Sequence, residues 1–285
     1  MADALFGSTE STAVSNAKIA TLVQSYLVQQ AKLLPLITDY SGLVSEGDKS
    51  LSLPRSGGFT VGDKAENTAV DSQIVTYAAD TIPLTDHKVV QFLVEKFAKR
   101  QAAPAVLSDM LMKAGKDMAL AVDALIAAQL LGGPSTATPD HVIDFNDGTN
   151  NDLELADVLN IRALLQAQNI DINECYMGIH PAKEKEMLAI DNFIDSSKYG
   201  SSEAIQNGVI GKIYGLKVVV SNSFEADSVI GWHPSAVGFA FAQGIVIDEQ
   251  KDLANLATRY SLDFIAGALG GLDSGVRQVL VEPHA

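Results

Sequence analysis

The chain has 285 residues, of which 47% are hydrophobic and only 6% aromatic; this is ample for a folded core and sparse for a deep aromatic ligand pocket. Its 35 acidic and 20 basic side chains leave a formal charge of −15, so the chain as a whole is repelled by phosphate backbones and anionic lipid. One cysteine, Cys175, excludes an intrachain disulfide and is expected to pack as a small apolar group in a protein assembled in a reducing cytoplasm. No apolar run reaches the ~20 residues of a membrane span, and the first residues lack the basic head and apolar stretch of a secretory signal.

Between residues 11 and 32, Ile19, Leu22, Val23, Tyr26 and Leu27 recur at helical spacing behind a cluster of N-cap candidates at Ser8, Thr9, Ser11 and Thr12. The predicted helix stops near Pro35 and reads as an extension from a compact body. From Leu51 to Val94 the period shortens to two: Leu51 and Leu53, Phe59 and Val61, Ile82 and Leu84, then Val90, Phe92 and Val94. That pattern predicts half-buried strands, broken by Pro54, Gly57, Gly58, Gly62 and Pro83. Residues 63–72 offer almost nothing to bury, so this tip is expected to project.

Pro104 opens a helical run, "PAVLSDMLMKAGKDMALAVDALIAAQLL", where a proline loses no partner for a first-turn N–H. Gly132, Gly133 and Pro134 stop it, and a helix over 104–131 would be about 42 Å long. Its predicted buried stripe is Leu107, Met110 or Leu111, Ala114, Met118, Val122 and Leu125. Asp109 and Lys113 are placed for an i,i+4 pair on the other side, and Gly115 marks a bend or a close contact. A polar connection over 134–151 leads into an α/β alternation. Helices are predicted at 153–168 and 181–190, and strands at 175–179, 216–220, 229–232, 260–269 and 276–281. A polar insertion over 191–208 is expected to be an exposed loop.

The chemistry-bearing residues do not assemble into a motif. His87, His141, His180, His233 and His284 are scattered, without the spacing of a zinc site; His180 and His233 each precede a proline at a strand end and read as turn residues. "DFNDGTNNDLE" puts its glycine fifth where a calcium loop needs it sixth, and reads as an Asx-rich turn capping the next helix. "GVIGKIYG" lacks the spacing of a phosphate loop, no nucleophile elbow occurs, and the glycines of "GALGGLDSG" read as tight packing or turns. Lys96, Lys99 and Arg100 read as a solvated face. No catalytic, cofactor-binding or metal-binding residue is assigned.

The order of elements carried by "LSLPRSGGFTVGDKAENTAVDSQIVTYAADTIPLTDHKVVQFLVEKF", the helix 104–131, "GLKVVVSNSF", "VIGWHPSAVGFAFAQ" and "VRQVLVEP" resembles the major capsid proteins of tailed bacteriophages, the Hong Kong 97-type fold. The resemblance implies an α+β fold with an N-terminal arm (1–48), an extended E-loop hairpin (49–95), and a P domain with its spine helix (96–150). An α/β A domain (151–250) and a return to the P domain (251–285) complete it. It implies that the E-loop lies over a neighbouring copy, with Arg55, Asp63, Lys64 and Glu66 as candidate contacts. Lys64 is available for the cross-link some members form, but no receiving asparagine or catalytic glutamate is identified.

The implied function is a structural, non-enzymatic shell subunit without cofactor or metal. It would assemble in the host cytoplasm into the hexamers and pentamers of a virion head, around double-stranded DNA that it contacts only weakly. The arm is too short to hold a scaffolding segment, so the expected partners are a separate scaffolding protein, a portal and decoration proteins, and no membrane. Two other readings stand beside this one: an encapsulin-like bacterial compartment enclosing protein cargo, and a small α/β enzyme formed by 151–250 with the rest as oligomerisation arms.

Overall fold

The computed structural model describes residues 31–95 except 58, 65, 68, 70, 71 and 76, residues 105–145 except 135 and 137–139, residues 152–189, and residues 209–283. Nearly all of the helix expected over 11–32, the loop expected over 191–208, and Lys96, Lys99, Arg100 and His284 lie outside the described residues.

In chain order, β1 (Thr38–Asp39) is followed by β2 (Ser50–Ser56) and β3 (Tyr77–Pro83), which pair antiparallel as a two-stranded sheet. β4 (Asp86–Glu95) alternates half-buried and exposed residues along its whole length, as a period of two requires when one face is buried. The 28-residue helix α1 (Ala105–Gly132) agrees with the predicted run. β5 (Val142–Asp144), α2 (Leu155–Ala167), β6 (Tyr176–Ile179), α3 (Pro181–Ala189), β7 (Val209–Ile213), β8 (Leu216–Val220) and β9 (Val229–Trp232) form the α/β part. β10 (Gly238–Asp252), β11 (Ala257–Leu269) and β12 (Gln278–Glu282) complete the chain.

The strands make a four-stranded sheet, β1-β10-β11-β4, and a six-stranded sheet, β5-β12-β9-β6-β8-β7. Strand β4, grouped at first with the 49–95 excursion, pairs with β11 from Asp86 opposite Ala266 to Glu95 opposite Ala257. β12 lies between β5 and β9 in the six-stranded sheet. Alternation reveals that a strand has one buried face, but not which neighbour its edge meets.

One core cluster joins α1 to both sheets: Leu111, Met118, Val122, Ile126 and Leu130 pack with Phe239, Leu262 and Phe264 and with Ile230, Trp232 and Leu280. The other face of the six-stranded sheet is covered by α2 through Val158, Ile161 and Leu165. The stripe on α1 therefore runs through Leu111 and Ile126; Met110 is exposed and Leu125 sits at the margin. A 3.6-residue period rotates off any fixed stripe over a helix this long, which moves the buried position from 125 to 126. Gly115 is buried. Asp109 and Lys113 pair at 2.8 Å on the outer face, and this hydrogen bond and charge raise the Lys113 pKa; in open solvent such a pair stabilises little.

This helix core is tied at its middle and at its C-terminal end by specific hydrogen bonds. The Asp123 carboxylate, buried midway along α1, accepts the backbone N–H groups of Lys32 at 2.9 Å and Leu33 at 3.0 Å. At the C-terminus, the Gln278 amide donates to the carbonyls of Leu130 at 3.1 Å and Gln129 at 3.3 Å, while its oxygen accepts the Gly271 N–H at 2.7 Å. These bonds satisfy helix-end carbonyls that would otherwise be buried without partners. The approach is so close that a Cβ at Gly270 would lie 2.0 Å from the Gln129 carbonyl oxygen, the tight packing expected of these glycines. Helix α2 starts with a capping box between Glu154 and Asp157, so the cap is the glutamate that ends the stretch 144–154, of which residues 146–151 lie outside the described residues.

Candidate assembly interface

Among the described residues, the β2–β3 hairpin is seated on the body by an apolar cluster at its base. Leu51 lies opposite Ile82 and Leu53 opposite Asp80, and Ile82, Leu84, Leu51 and Leu53 form a small cluster with Tyr40 and Ala240. Leu84 N–H donates to the Lys49 carbonyl at 3.0 Å, closing the base. Backbone meets backbone here, since a Cβ at Gly267 would stand 2.0 Å from the Pro83 carbonyl oxygen.

Polarity rises away from the seat. Arg55 on β2 pairs with Asp80 on β3 at 3.7 Å, and both line a cleft of about 360 Å³ that Ser235 and Arg277 of the body also face. The ladder ends at Ser56, and beyond it the tip is held by a side chain: the Gln73 amide accepts the Thr60 N–H at 2.9 Å and donates to the Thr60 carbonyl. Phe59 and Val61, expected as half-buried strand residues, lie outside any strand and are 70% and 96% exposed. The ladder stops at Ser56, before it reaches them; Pro54 and Pro83, expected to break the strands, instead lie within it opposite Ala79 and Ser50, as prolines can in a two-stranded ribbon whose strands are both edges. Ile74 and Tyr77 are exposed as well, at 94% and 79%.

Of the four candidate contacts, Arg55 is brought to Asp80 at the cleft, while Asp63, Lys64 and Glu66 are exposed in the tip. Phe59 and Val61 escape selection as contact candidates because their alternation reads as burial within the chain, and Ile74 and Tyr77 belong to no pattern that singles them out. A two-stranded ribbon is at best marginally stable on its own, and an arm that shows four large apolar side chains to water has the composition of a docking surface.

The remaining chemistry resolves into structural roles. His233 touches Ser235 Oγ through Nδ1 at 2.7 Å and Glu174 through Nε2 at 3.3 Å, which has the outline of a hydroxyl, imidazole and carboxylate relay. The same Nδ1 accepts the Ser235 N–H as the N-cap of the turn Pro234–Ala236, and Arg277 donates to that hydroxyl. A nitrogen engaged as a cap acceptor and a hydroxyl held by a guanidinium make a turn, not an activated nucleophile. His180 likewise accepts the Ala182 N–H at 3.1 Å. Both histidines are thus turn residues, as their prolines implied. Among the described residues no group of three or more His, Cys, Asp or Glu side chains could hold a metal ion, and no helix is long and apolar enough to cross a membrane.

Cys175 is fully buried. Burial first, and then the charges of Asp171 and Glu174, push its thiol pKa up to about 12, so almost no thiolate exists at neutral pH. A maleimide reagent is expected to leave the folded chain unlabelled and to modify it only on unfolding; rapid native labelling would contradict this packing.

Compared with known proteins, residues 67–276 match a family model described as "Phage capsid protein". No curated protein matches the chain. Among solved structures, a chain of Mycobacterium phage Che8 is similar at 17% identity and a TM-score of 0.68, covering 88% of this chain and 91% of that one. The capsid structure of the cyanophage P-SCSP1u is similar at 14% identity and 0.68, covering 87% and 86%. A virus-like particle from Pyrococcus furiosus is similar at 13% identity and 0.61, covering 94% and 99%. At such identities the structural likeness concerns the fold.

Proposed function

The chain belongs to the phage capsid protein family, and from that premise we propose that it is the major shell subunit of a tailed-phage head, assembling with itself into hexamers and pentamers around double-stranded DNA. The observation that carries this reading is the hairpin, seated at its base and exposing Phe59, Val61, Ile74 and Tyr77. Apolar surface that its own chain leaves in water is buried when the arm lies across a neighbouring copy. Many weak copies of one contact close a shell.

In this reading residues 1–48 are the N-terminal arm and the hairpin is the E-loop. The helix α1 is the spine of a P domain (96–150), residues 151–250 are the A domain, and 251–285 return to the P domain. Arg55, Asp63, Lys64 and Glu66 supply polar contacts around the apolar tip. The role is structural and non-catalytic, in the virion, after assembly in the host cytoplasm with a separate scaffolding protein, a portal and decoration proteins. The charge of −15 keeps the contact with packaged DNA weak.

The likeness to the Pyrococcus virus-like particle is compatible with a second reading, a compartment enclosing protein. Electron microscopy of the expressed chain, with and without a candidate scaffold, is expected to show closed particles. Replacing residues 57–75 with a short glycine turn should leave a folded body that forms none. Discrete small oligomers from the parent chain, or particles from the shortened one, would sink the proposal. Nuclease-protected DNA inside native particles selects the phage head, and protein cargo selects the compartment.

A further inference from the structure

The cleft of about 360 Å³ between the β2–β3 hairpin and the body differs in charge from the chain around it. In a protein of net charge −15, its lining carries two guanidinium groups, Arg55 from the hairpin and Arg277 from the body, against a single carboxylate, Asp80. Leu53, Pro54 and Leu272 supply apolar wall, and Tyr40, Ser56 and Ser235 add hydroxyl groups. A cleft with an excess of one charge and low-dielectric walls concentrates ions of the opposite sign. Its size falls at the small end of ligand clefts.

Both arginines are placed by other side chains. Arg55 lies 3.7 Å from Asp80, beyond hydrogen-bond length, so that contact is one of charge. Arg277 donates to Ser235 Oγ, and that hydroxyl sits 2.7 Å from His233 Nδ1, whose ring reaches Glu174 through Nε2 at 3.3 Å. This run of contacts holds the body guanidinium at the cleft wall, one residue ahead of β12. Guanidinium forks match the oxygens of phosphate-class anions, and do so better than a point charge would. We propose that the cleft binds a small oxyanion of the phosphate class, its oxygens bridging Arg55 of the hairpin and Arg277 of the body. Duplex DNA is repelled by the chain's overall charge, so the ligand is a free anion. Once bound, it ties the hairpin to the body at a point separate from the apolar cluster. The binding is a property of one subunit and is independent of the shell reading above.

Pyrophosphate, titrated into the full chain in a chloride buffer of constant ionic strength, is the probe. Calorimetry is expected to show saturable binding, and the melting temperature to rise with pyrophosphate concentration. Arg55→Gln and Arg277→Gln should each weaken binding about tenfold or more, as the loss of a charge-assisted hydrogen bond does. Asp80→Asn removes the competing carboxylate and should tighten it. Lys113→Gln, on the outer face of α1, should leave it unchanged. Where Arg277→Gln melts without cooperativity, Arg277→Lys takes its place: it keeps the charge, loses the fork and should bind more weakly than the parent. Absence of saturable binding to the parent overturns the site. Parent-like affinity in either arginine variant, weaker binding in Asp80→Asn, or a loss in Lys113→Gln as large as theirs shows an adventitious ion only and overturns the bridge. A short DNA duplex that displaces pyrophosphate overturns the assignment to a free anion.

Discussion

Asp123→Ala is expected to destabilise the chain by roughly 2–6 kcal/mol, because it strands two backbone N–H groups whose burial without a partner costs about 1–3 kcal/mol each. Those groups belong to Lys32 and Leu33, so proteolysis around residues 31–37 should accelerate together with the loss of stability. Asp123→Asn keeps an acceptor and should cost much less. The two variants also separate hydrogen bonding from charge. Burial raises the Asp123 pKa above its ordinary 3.8, outweighing the opposing effects of the Lys32 and Leu33 N–H groups and the Lys32 charge.

A carboxyl with a raised folded-state pKa binds its proton more readily in the folded chain. Its contribution is therefore greatest below the unfolded value and is lost as pH rises through the folded one. Relative to Asp123→Asn, the parent should gain stability as the pH is lowered from neutral through that window. Denaturant titrations at several pH values measure both effects, and an Asp123→Ala chain within 0.5 kcal/mol of the parent would remove the anchor from this account.

Gly267→Ala is expected to abolish assembly at a stability cost of about 1–3 kcal/mol, the range for forcing extra volume into a packed site. The new methyl would lie 2.0 Å from the Pro83 carbonyl oxygen, 2.9 Å from its carbon and 3.2 Å from the Leu84 Cα. All three are backbone atoms, so no side-chain rotation relieves the clash and the hairpin base must shift. A displacement at the seat grows along the arm, so the tip misses its target even where the body still folds. Gly42→Ala meets nothing within 4 Å and is the matched control. Light scattering during assembly and a melting curve of the unassembled chain read the two effects; normal particles from Gly267→Ala would show that the seat does not aim the hairpin.

The elements with an uninterrupted period were legible in the sequence. Helix α1 and the strands around Met177, Val218 and Ile230 lie within a residue or two of where their patterns placed them, and strand β4 contains its predicted alternation of Val90, Phe92 and Val94. Strand β10 was not, although it is the longest strand described. Its register shifts between Phe241 and Val246 break the alternation, and its far end, "DEQKD", looks like a solvated loop because that end of the ribbon projects with both faces partly open. The site was legible as a segment and not as residues. Charge drew attention to Arg55, Asp63, Lys64 and Glu66, whereas the exposure that distinguishes Phe59, Val61, Ile74 and Tyr77 is a property of what does not pack against them. Asp123 and Gln278 carry no local signal at all, because their partners lie about 90 and 150 residues away in the chain.

The Gln278 clamp also sets an order in time. Synthesis runs from the N-terminus, so the long helix emerges well before the strand that closes its far end and separates β5 from β9. Until residue 282 has cleared the ribosome, the six-stranded sheet has a gap where β12 belongs and the helix-end carbonyls stay open to water. A subunit wired in this way completes its six-stranded sheet and caps its long helix only after translation has passed β12.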